Sequence, residues 1–359
     1  MTREILFTFS SEDSAKENMK KKLIFCICIL LLCGAFLGMA QAILEPKYMT
    51  ENKEGALVAE YYRDVGAHDV LFLGDCEAYE SYTPPTLWEQ YGITSYIRGT
   101  PQQLIWHSYY LLEDTLRHET PKAVVFNVYA MRYGEPQNEA YNRLALDGMK
   151  LSATKIGAVR ASMTEEESMA SYVFPILRYH SRWKELKRED FTYLFRRDTV
   201  SHNGYLMQTG VKPMEVEIEG MPLQDAALPA ICFEYLDRMR ALCEENGIEL
   251  ILVKAPTNFW SYYWYDEWDA QIVSYAEEHS LAYYNFISHT EAIGIDWSTD
   301  TYDAGAHLNV HGAEKLTVYF GKILQEQHGL TDHRGEDALR SVWEEKVTRY
   351  YEEKNGGTT

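Results

Sequence analysis

The predicted fold rests mainly on one stretch of the sequence, Val70-Leu-Phe-Leu-Gly-Asp-Cys-Glu-Ala-Tyr79. Its first four residues form an unbroken apolar run, which is typical of a strand buried on both faces of a parallel sheet. Gly74 permits a tight turn at the end of that strand. Asp75 and Cys76 therefore follow the strand at the carboxyl edge of the sheet, where α/β proteins place their chemistry.

Cys76 itself has two interpretations at this point. Asp75 is suited to cap a following helix, and the N-terminus of that helix would favour a thiolate on Cys76. A free Cys in a strand-turn is alternatively a small buried hydrophobe without reactivity. These residues alone leave both interpretations open.

Strands and helices alternate along most of the chain. Apolar runs predict strands over residues 70–73, 94–97, 123–129, 248–254 and 281–285. Helical spacing and cap residues predict helices over residues 84–91, 102–117, 228–246, 266–279 and 312–327. This alternation predicts an α/β fold with a parallel, doubly wound sheet. It stops within residues 131–225, which we interpret as a helical insertion at the carboxyl side of the third strand, with helices expected over residues 138–150 and 165–179.

The composition excludes one class of partner. Lys and Arg number 34 while Asp and Glu number 54, so the formal net charge is −20. A nucleic-acid partner requires a basic face, and we therefore expect no nucleic acid. The length of 359 residues suits one large α/β domain with a membrane segment, or two small domains.

Cys76 is predicted to be unpaired. Cys232 and Cys243 lie about three helical turns apart, roughly 16 Å, which is too far for a disulfide within one helix. The other three Cys residues lie in an N-terminal apolar run. No spacing of Cys and His is typical of structural zinc, so we predict no metal and no cofactor.

The N-terminal apolar run, residues 23–44, is long enough to be a transmembrane anchor. The lysines at 20–22 predict a cytoplasmic N-terminal segment, residues 1–22, with the remainder of the chain outside. Met19 is a candidate true start of translation, with residues 1–18 as an upstream extension. We expect a linker with a short amphipathic helix over residues 45–66, an α/β domain over 67–328, and a charged, solvent-exposed tail over 329–359.

Other interpretations of the apolar run are weaker. Ala40-Gln41-Ala42 resembles a signal-peptidase site, but the run is longer than a usual signal core. The stretch from Leu30 to Cys33 resembles a lipobox, but Leu32 is bulky where that motif has a small residue. A buried helix of a soluble protein is disfavoured by the adjacent lysine triplet.

A second informative stretch runs from Tyr302 to Leu316, immediately before the last predicted helix. A thiol nucleophile needs a base within hydrogen-bond reach, and the base needs a partner that fixes its tautomer. His307 and Asp303 are suited to these two roles, and they can meet Cys76 at one edge of the sheet. Alternatively, His307 is a loop residue without a catalytic role, and His311 or Asp300 would take part if the loop were built differently.

These motifs resemble those of the SGNH/GDSL hydrolase superfamily, and within it the membrane-anchored branch similar to the D-alanyl-lipoteichoic acid biosynthesis D protein and the alginate O-acetylation proteins. The resemblance covers residues 69–130 and 248–325 and implies a three-layer α/β/α, flavodoxin-like SGNH sheet. Gly74-Asp75-Cys76 matches the Gly-Asp-Ser block, which implies that Cys76 is the nucleophile. Gly99 and Asn127 match the second and third blocks, which implies that they donate to an oxyanion. Asp303 and His307 match the final Asp-x-x-His block.

Three departures from the family pattern qualify this resemblance. The nucleophile is Cys rather than Ser, which suits acyl transfer but equally fits an esterase that has lost its activity. The spacing from Asp303 to His307 is one residue longer than in the family, and Gly305 can absorb the difference in a looser turn. Asn127 lacks the usual glycine two residues before it.

Two further features suggest substrate contacts beyond the fourth predicted strand. Residues 258–268 are rich in aromatic side chains, and Trp260 is a candidate for stacking on a sugar ring; the alternative is a packed cluster at a helix entry. Lys254 ends the strand and is a candidate contact for an anionic substrate; the alternative is a solvated strand end.

The sequence therefore predicts an extracytoplasmic, membrane-anchored acyltransferase or esterase with a Cys-His-Asp triad. The resemblance implies a cell-envelope glycan or teichoic-type polymer as substrate and a membrane-bound O-acyltransferase as partner. The alternative is a non-catalytic glycan-binding or assembly module that has lost the serine nucleophile.

Overall fold

A computed structural model of the chain describes residues 4–45, 53–64, 66, 68–214, 223, 225–258 and 264–356, with backbone alone for residues 4–15. The chain forms two compact units. One unit comprises Met1–Pro46 with Val173–Arg197, and the other comprises Lys47–Tyr172 with Asp198–Thr359. The second unit carries the sheet and every residue of the predicted triad.

The sheet has five parallel strands among the described residues, in the order β2-β1-β3-β4-β5. Their bounds are β1 Val70–Gly74, β2 Ser95–Gly99, β3 Ala123–Asn127, β4 Glu249–Lys254 and β5 Ala282–Asn285. This strand order is that of flavodoxin-like doubly wound sheets, and the predicted α/β class is confirmed.

Helices connect and flank the strands. Those with α-helical geometry are α1 Glu4–Leu44, α2 Lys53–Tyr61, α3 Cys76–Tyr79, α4 Pro84–Tyr91, α5 Ile105–Thr115, α6 Glu139–Leu146, α7 Ala153–Ser162, α8 Met169–Val173, α9 Ile176–Tyr179, α10 Arg188–Thr192, α11 Ala230–Glu245, α12 Asp266–His279, α13 Thr290–Ile293, α14 Val310–Glu326 and α15 Asp337–Lys354. Among the described residues, 3₁₀ turns cover Val128–Arg132, His180–Lys184 and Phe286–His289.

The sheet is covered on both faces, which makes the three layers of the fold. All five residues of β1 are buried. Leu71 and Leu73 pack into the apolar cluster on one face with residues of α5 and α11, whereas Val70 and Phe72 pack on the other face with residues of α4 and α14. Since neither face of β1 reaches water, the carboxyl edge of the sheet is left for polar chemistry.

The segments on either side of the predicted α/β domain, residues 45–66 and 329–359, differ from the predictions. The predicted linker contains α2, whose Leu57, Val58 and Tyr61 are buried in the apolar clusters and make it part of the folded unit. The C-terminal tail forms α15, which is packed rather than exposed: Trp343 stacks on Trp88 with ring centroids 5.4 Å apart. In both segments a few large apolar side chains, spaced among many charged residues, are buried against the rest of the protein. The average composition of each segment is polar, so it did not predict this packing.

The inserted region between β3 and β4 also departs from the predicted pattern. The helix expected over residues 165–179 is broken into α8 and α9 at Pro175, because a proline removes a backbone donor and clashes with the preceding turn. The helix expected over residues 138–150 ends at Leu146, and α7 follows it.

At the N-terminus, α1 is longer than the predicted anchor. Within it, residues Lys16–Leu44 form one helix that is long and apolar enough to cross a membrane, with a mean hydropathy of 2.8 over its most apolar window. None of that window is buried within the protein, so no protein core covers its apolar side chains.

Candidate active site

The turn after β1 presents Cys76 at the carboxyl edge of the sheet. Asp75 caps α3 as predicted, since its side chain accepts a hydrogen bond from the Glu77 backbone N–H at 3.1 Å. A Cβ atom at position 74 would lie 2.9 Å from the Cβ atoms of both Ala78 and Asn127. The close approach of the turn to β3 and α3 therefore requires glycine at that position.

The strand register brings the two predicted oxyanion donors to the same edge. Gly74 pairs with Gly99, so the end of β2 lies beside the turn that carries Cys76. A Cβ atom at Gly99 would lie 3.1 Å from the carbonyl oxygen of Gly74 and 3.2 Å from Cβ of Tyr79, so glycine allows this contact. Asn127 ends β3 on the other side of β1 and is buried.

Asp303 and His307 lie on a compact loop before α14. Asp303 accepts twice from the same residue: its Oδ1 accepts from the His307 backbone N–H at 2.8 Å, and its Oδ2 lies 2.6 Å from His307 Nδ1. Gly305 has a φ of +96°, and a Cβ atom there would lie 2.8 Å from Cβ of Asn258. The loop thus contains the extra residue between Asp303 and His307 in a left-handed turn, as predicted for Gly305.

The central contact of the site joins residues 231 positions apart: His307 Nε2 lies 3.0 Å from Cys76 Sγ. With its Nδ1–H donated to Asp303, neutral His307 carries the Nε2 lone pair that faces the thiol. This is the arrangement that a general base needs, with the third residue fixing the tautomer and orientation of the ring. The geometry can pass the thiol proton to the imidazole.

The electrostatic environment of Cys76 differs from the prediction. Burial, followed by the Asp75 carboxylate, raises the pKa of the thiol to about 12, and the opposing effect of His307 is smaller. The expectation that the helix N-terminus would favour a thiolate is therefore wrong for this site, because α3 has only four residues and stands among carboxylates. Near neutral pH the thiol holds its proton.

His307 is held toward its charged form by its neighbours. Burial alone lowers the pKa of His307, but Cys76, Asp303 and Glu80 outweigh it and raise the pKa well above its usual range. Burial also raises the pKa of Glu80 to about 7. Tyr302 links the two groups: its hydroxyl donates to Glu80 Oε2 at 2.9 Å, and its ring stacks on the imidazole with centroids 6.2 Å apart.

Lys254 has a different role from the one predicted. Its side chain is fully buried, and its Nζ lies 2.8 Å from both carboxylate oxygens of Glu77 and 2.8 Å from the Ala255 carbonyl oxygen. It therefore makes an internal ion pair and is not available to contact an anionic substrate. Asn127 joins this network, because its Nδ2 donates to Glu77 Oε2 at 3.2 Å and its Oδ1 accepts from the Tyr129 N–H.

The Asn127 amide nitrogen carries two hydrogens, and the bond to Glu77 uses one of them. The alternative partner Asp300 pairs with Lys315 at 2.6 Å and accepts from the Asp296 backbone N–H at 2.8 Å. Trp260 lies outside the described residues. Among those that are described, no group of three His, Cys, Asp or Glu side chains is placed to hold a metal ion.

Sequence reasoning missed three residues that surround the triad, namely Glu77, Glu80 and Tyr302. One signal was available for Glu77: a lysine at the end of a strand as apolar as β4 requires a buried counter-charge. No local pattern identifies Glu80 or Tyr302, since their contacts depend on how the loop before α14 packs against α3.

No protein-family model matches this chain, and no curated protein matches it. Solved structures with a similar chain path include a candidate acylhydrolase from Bacteroides fragilis, with a TM-score of 0.35 and 13% identity, covering 79% of this chain and 95% of that one. A GDSL-like lipase from Bacteroides thetaiotaomicron has a TM-score of 0.35 and 12% identity, covering 79% of this chain and 99% of its own. Likenesses this distant establish neither a family nor a substrate for this chain.

The buried ion pair predicts a large and recoverable loss of stability. Lys254→Met leaves the Glu77 carboxylate buried without its counter-charge, which costs about 3–5 kcal/mol. The double variant Glu77→Gln/Lys254→Met should recover much of this loss, because the substituted amide carries no charge and still accepts from Asn127. Urea unfolding of the full chain in detergent, followed by fluorescence, measures both. Lys322→Met, in the exposed pair with Glu326, is the control and should change little; equal losses in the two lysine variants would contradict this role.

Because carboxylates surround the thiol, we predict that the rate of Cys76 alkylation increases at alkaline pH. Alkylation of Cys76 by iodoacetamide needs a neutral His307 or a thiolate, and both pKa values are raised. The labelling rate should therefore rise with pH above neutrality. Glu80→Gln removes a charge that opposes both deprotonations, and since the pKa of Glu80 is about 7, this variant should label faster above that pH and like the wild type below it.

Peptide mass spectrometry measures the labelling at Cys76 directly. Glu278→Gln removes an exposed carboxylate from α12 and is the matched control. Slower labelling of Glu80→Gln, or an equal gain in the control, would show that Glu80 does not set the reactivity of the thiol.

Proposed function

We propose that this chain is an SGNH-type acyltransferase or esterase that works outside the cytoplasm through a covalent acyl-thioester on Cys76. The observation that carries the proposal is the contact chain of 3.0 Å from Cys76 Sγ to His307 Nε2 and 2.6 Å from His307 Nδ1 to Asp303 Oδ2. A nucleophile, a base and an orienting carboxylate in this order are the requirements of covalent acyl transfer.

In the first half-reaction, Cys76 Sγ attacks the carbonyl carbon of an ester or thioester donor. His307 Nε2 takes the thiol proton and gives it to the departing alkoxide or thiolate, so a carbon–sulfur bond forms as the donor bond breaks. Asp303 stabilises the imidazolium that exists between these two proton transfers. The backbone N–H groups of Cys76 and Gly99, with the Asn127 amide, are the candidate donors for the oxyanion.

In the second half-reaction, His307 takes a proton from the acceptor hydroxyl or from water. The acceptor oxygen attacks the thioester carbonyl, the carbon–sulfur bond breaks, and the proton returns to Cys76 Sγ. A sugar or polyol hydroxyl as acceptor makes the reaction a transfer, whereas water makes it a hydrolysis.

The proposed substrate is a cell-envelope glycan or a teichoic-type polymer at the membrane surface. Support comes from the helix Lys16–Leu44, which is apolar enough to anchor the chain, and from the lysines at 20–22, which favour a cytoplasmic N-terminus. A membrane-bound O-acyltransferase is the proposed partner, since an anchored enzyme would receive its acyl group most directly from another membrane protein.

One observation favours a second candidate function. The pKa of about 12 for Cys76 fits an inert thiol as well as a nucleophile that passes its proton to His307 only as it attacks. In that case the chain would be a glycan-binding or assembly module without catalysis. The two candidates differ in whether the folded site accelerates acylation of Cys76.

Acylation by a simple ester tests the proposal. Brief treatment of the folded chain with p-nitrophenyl acetate should place one acetyl group on Cys76, as seen by intact mass and peptide mapping, and Cys76→Ala should remain unmodified. Cys232→Ala removes a buried thiol of α11 and should acetylate like the wild type. Acetylation of Cys76 that is no faster in the folded chain than in urea would support the binding module instead.

A further inference from the structure

The compact unit that contains α1 also contains residues 173–197, which we call the basic aromatic segment. It comprises α9, the 3₁₀ turn His180–Lys184 and α10. Arg182 fastens it to the end of α1, because its Nη1 donates to the Leu44 carbonyl oxygen at 2.8 Å and also to the Glu45 carbonyl. The last carbonyls of a helix lack intrahelical donors, so a guanidinium there satisfies them and complements the helix dipole.

Large apolar side chains of this segment face outward. Phe195 is 91% exposed and Trp183 is 65% exposed, and Phe174, Leu177 and Phe191 are exposed as well. Among the residues whose side chains are described, every exposed Phe or Trp outside α1 lies in this segment. Aromatic residues concentrated in this way mark a surface that meets an apolar phase, and Trp is enriched where a membrane meets water.

The charge of the segment is opposite to that of the chain. Residues 173–197 contain seven Lys and Arg but three Asp and Glu, whereas the whole chain has a net charge of −20. The exposed basic residues are Arg178, Lys184, Lys187, Arg188, Arg196 and Arg197. Basic side chains interspersed with exposed aromatics are the composition of interfacial segments on anionic lipids.

The length of the apolar part of α1 determines the depth in a membrane at which the basic aromatic segment would lie. The apolar run from residue 23 to Leu44 has 22 residues. At about 1.5 Å per residue it spans roughly 33 Å, close to the ~30 Å thickness of a bilayer's hydrocarbon core. Leu44 therefore marks the membrane boundary, and Arg182 holds the segment against that boundary.

We propose that the basic aromatic segment lies in the headgroup layer of the membrane, with its aromatic side chains inserted and its basic side chains bound to anionic phospholipids. This inference rests on the proposed membrane anchorage by α1, and it goes beyond it: the chain makes a second, peripheral contact with the bilayer. Such a contact would hold the basic aromatic segment at a fixed depth in the membrane, so that α1 would not be the chain's sole attachment to the bilayer.

Quenching of tryptophan fluorescence by brominated lipids tests the contact. The full chain is placed in nanodiscs of phosphatidylcholine and phosphatidylglycerol, with or without bromine on the acyl chains. Bromine should quench part of the emission, and Trp183→Phe should lose most of the quenched component. Trp297→Phe removes a half-buried tryptophan of the other unit and is the control, which should keep the wild-type quenching.

A second variant tests the charges. Lys187→Gln/Arg188→Gln should reduce quenching in nanodiscs that contain phosphatidylglycerol and match the wild type in pure phosphatidylcholine. Quenching that is unchanged by Trp183→Phe overturns the inference and leaves a protein partner as the occupant of this surface. Extraction with alkaline carbonate separates the two failures: a chain that washes off the membrane overturns the anchorage as well, whereas one that is retained with Trp183 unquenched overturns the second contact alone.

Discussion

One hydrogen-bonded contact, between the Cys76 thiol and the His307 imidazole, depends on the whole architecture of the sheet. The two residues are 231 positions apart, and they meet because β1 lies inside a parallel sheet whose strands end at one edge. The turn after β1 carries the thiol, and the loop before α14 carries the imidazole. Asp303 fixes that imidazole by accepting from its ring and from its own backbone N–H.

The same edge contains the buried charged residues Asp75, Glu77, Glu80 and Lys254. Glu77 and Lys254 form an internal pair beneath the turn, while Asp75 and Glu80 stand close enough to Cys76 to raise its pKa. Carboxylates oppose ionisation of the thiol, and Asp303 and Glu80 also raise the pKa of His307, so the imidazole is available as a base only in its neutral form. A substrate that excludes water would strengthen these interactions and oppose a free thiolate further, so the thiol has to lose its proton to His307 as it attacks.

The sheet and the contacts among Cys76, His307 and Asp303 were largely predictable, and the electrostatics were not. Apolar runs identified the strands because β1 and β4 are buried on both faces, and α12 was predicted with its observed bounds, Asp266–His279. The contact between Cys76 and His307 followed from the rule that parallel strands end together. The burial of Lys254 and the carboxylate shell depend on contacts across the fold, such as that of Tyr302 with Glu80, which no local pattern encodes.

The central claim is that the imidazole takes the proton of the thiol, and single-turnover acetylation of Cys76 in the His307→Gln variant tests it most directly. The substituted amide keeps a polar side chain in the loop but cannot act as a base at neutral pH. If His307 is the base, acetylation should slow by about 10²–10⁴-fold while the fold, judged by circular dichroism, is unchanged. An unchanged rate in a folded variant would show that Cys76 reacts as an ordinary thiol and would contradict the account.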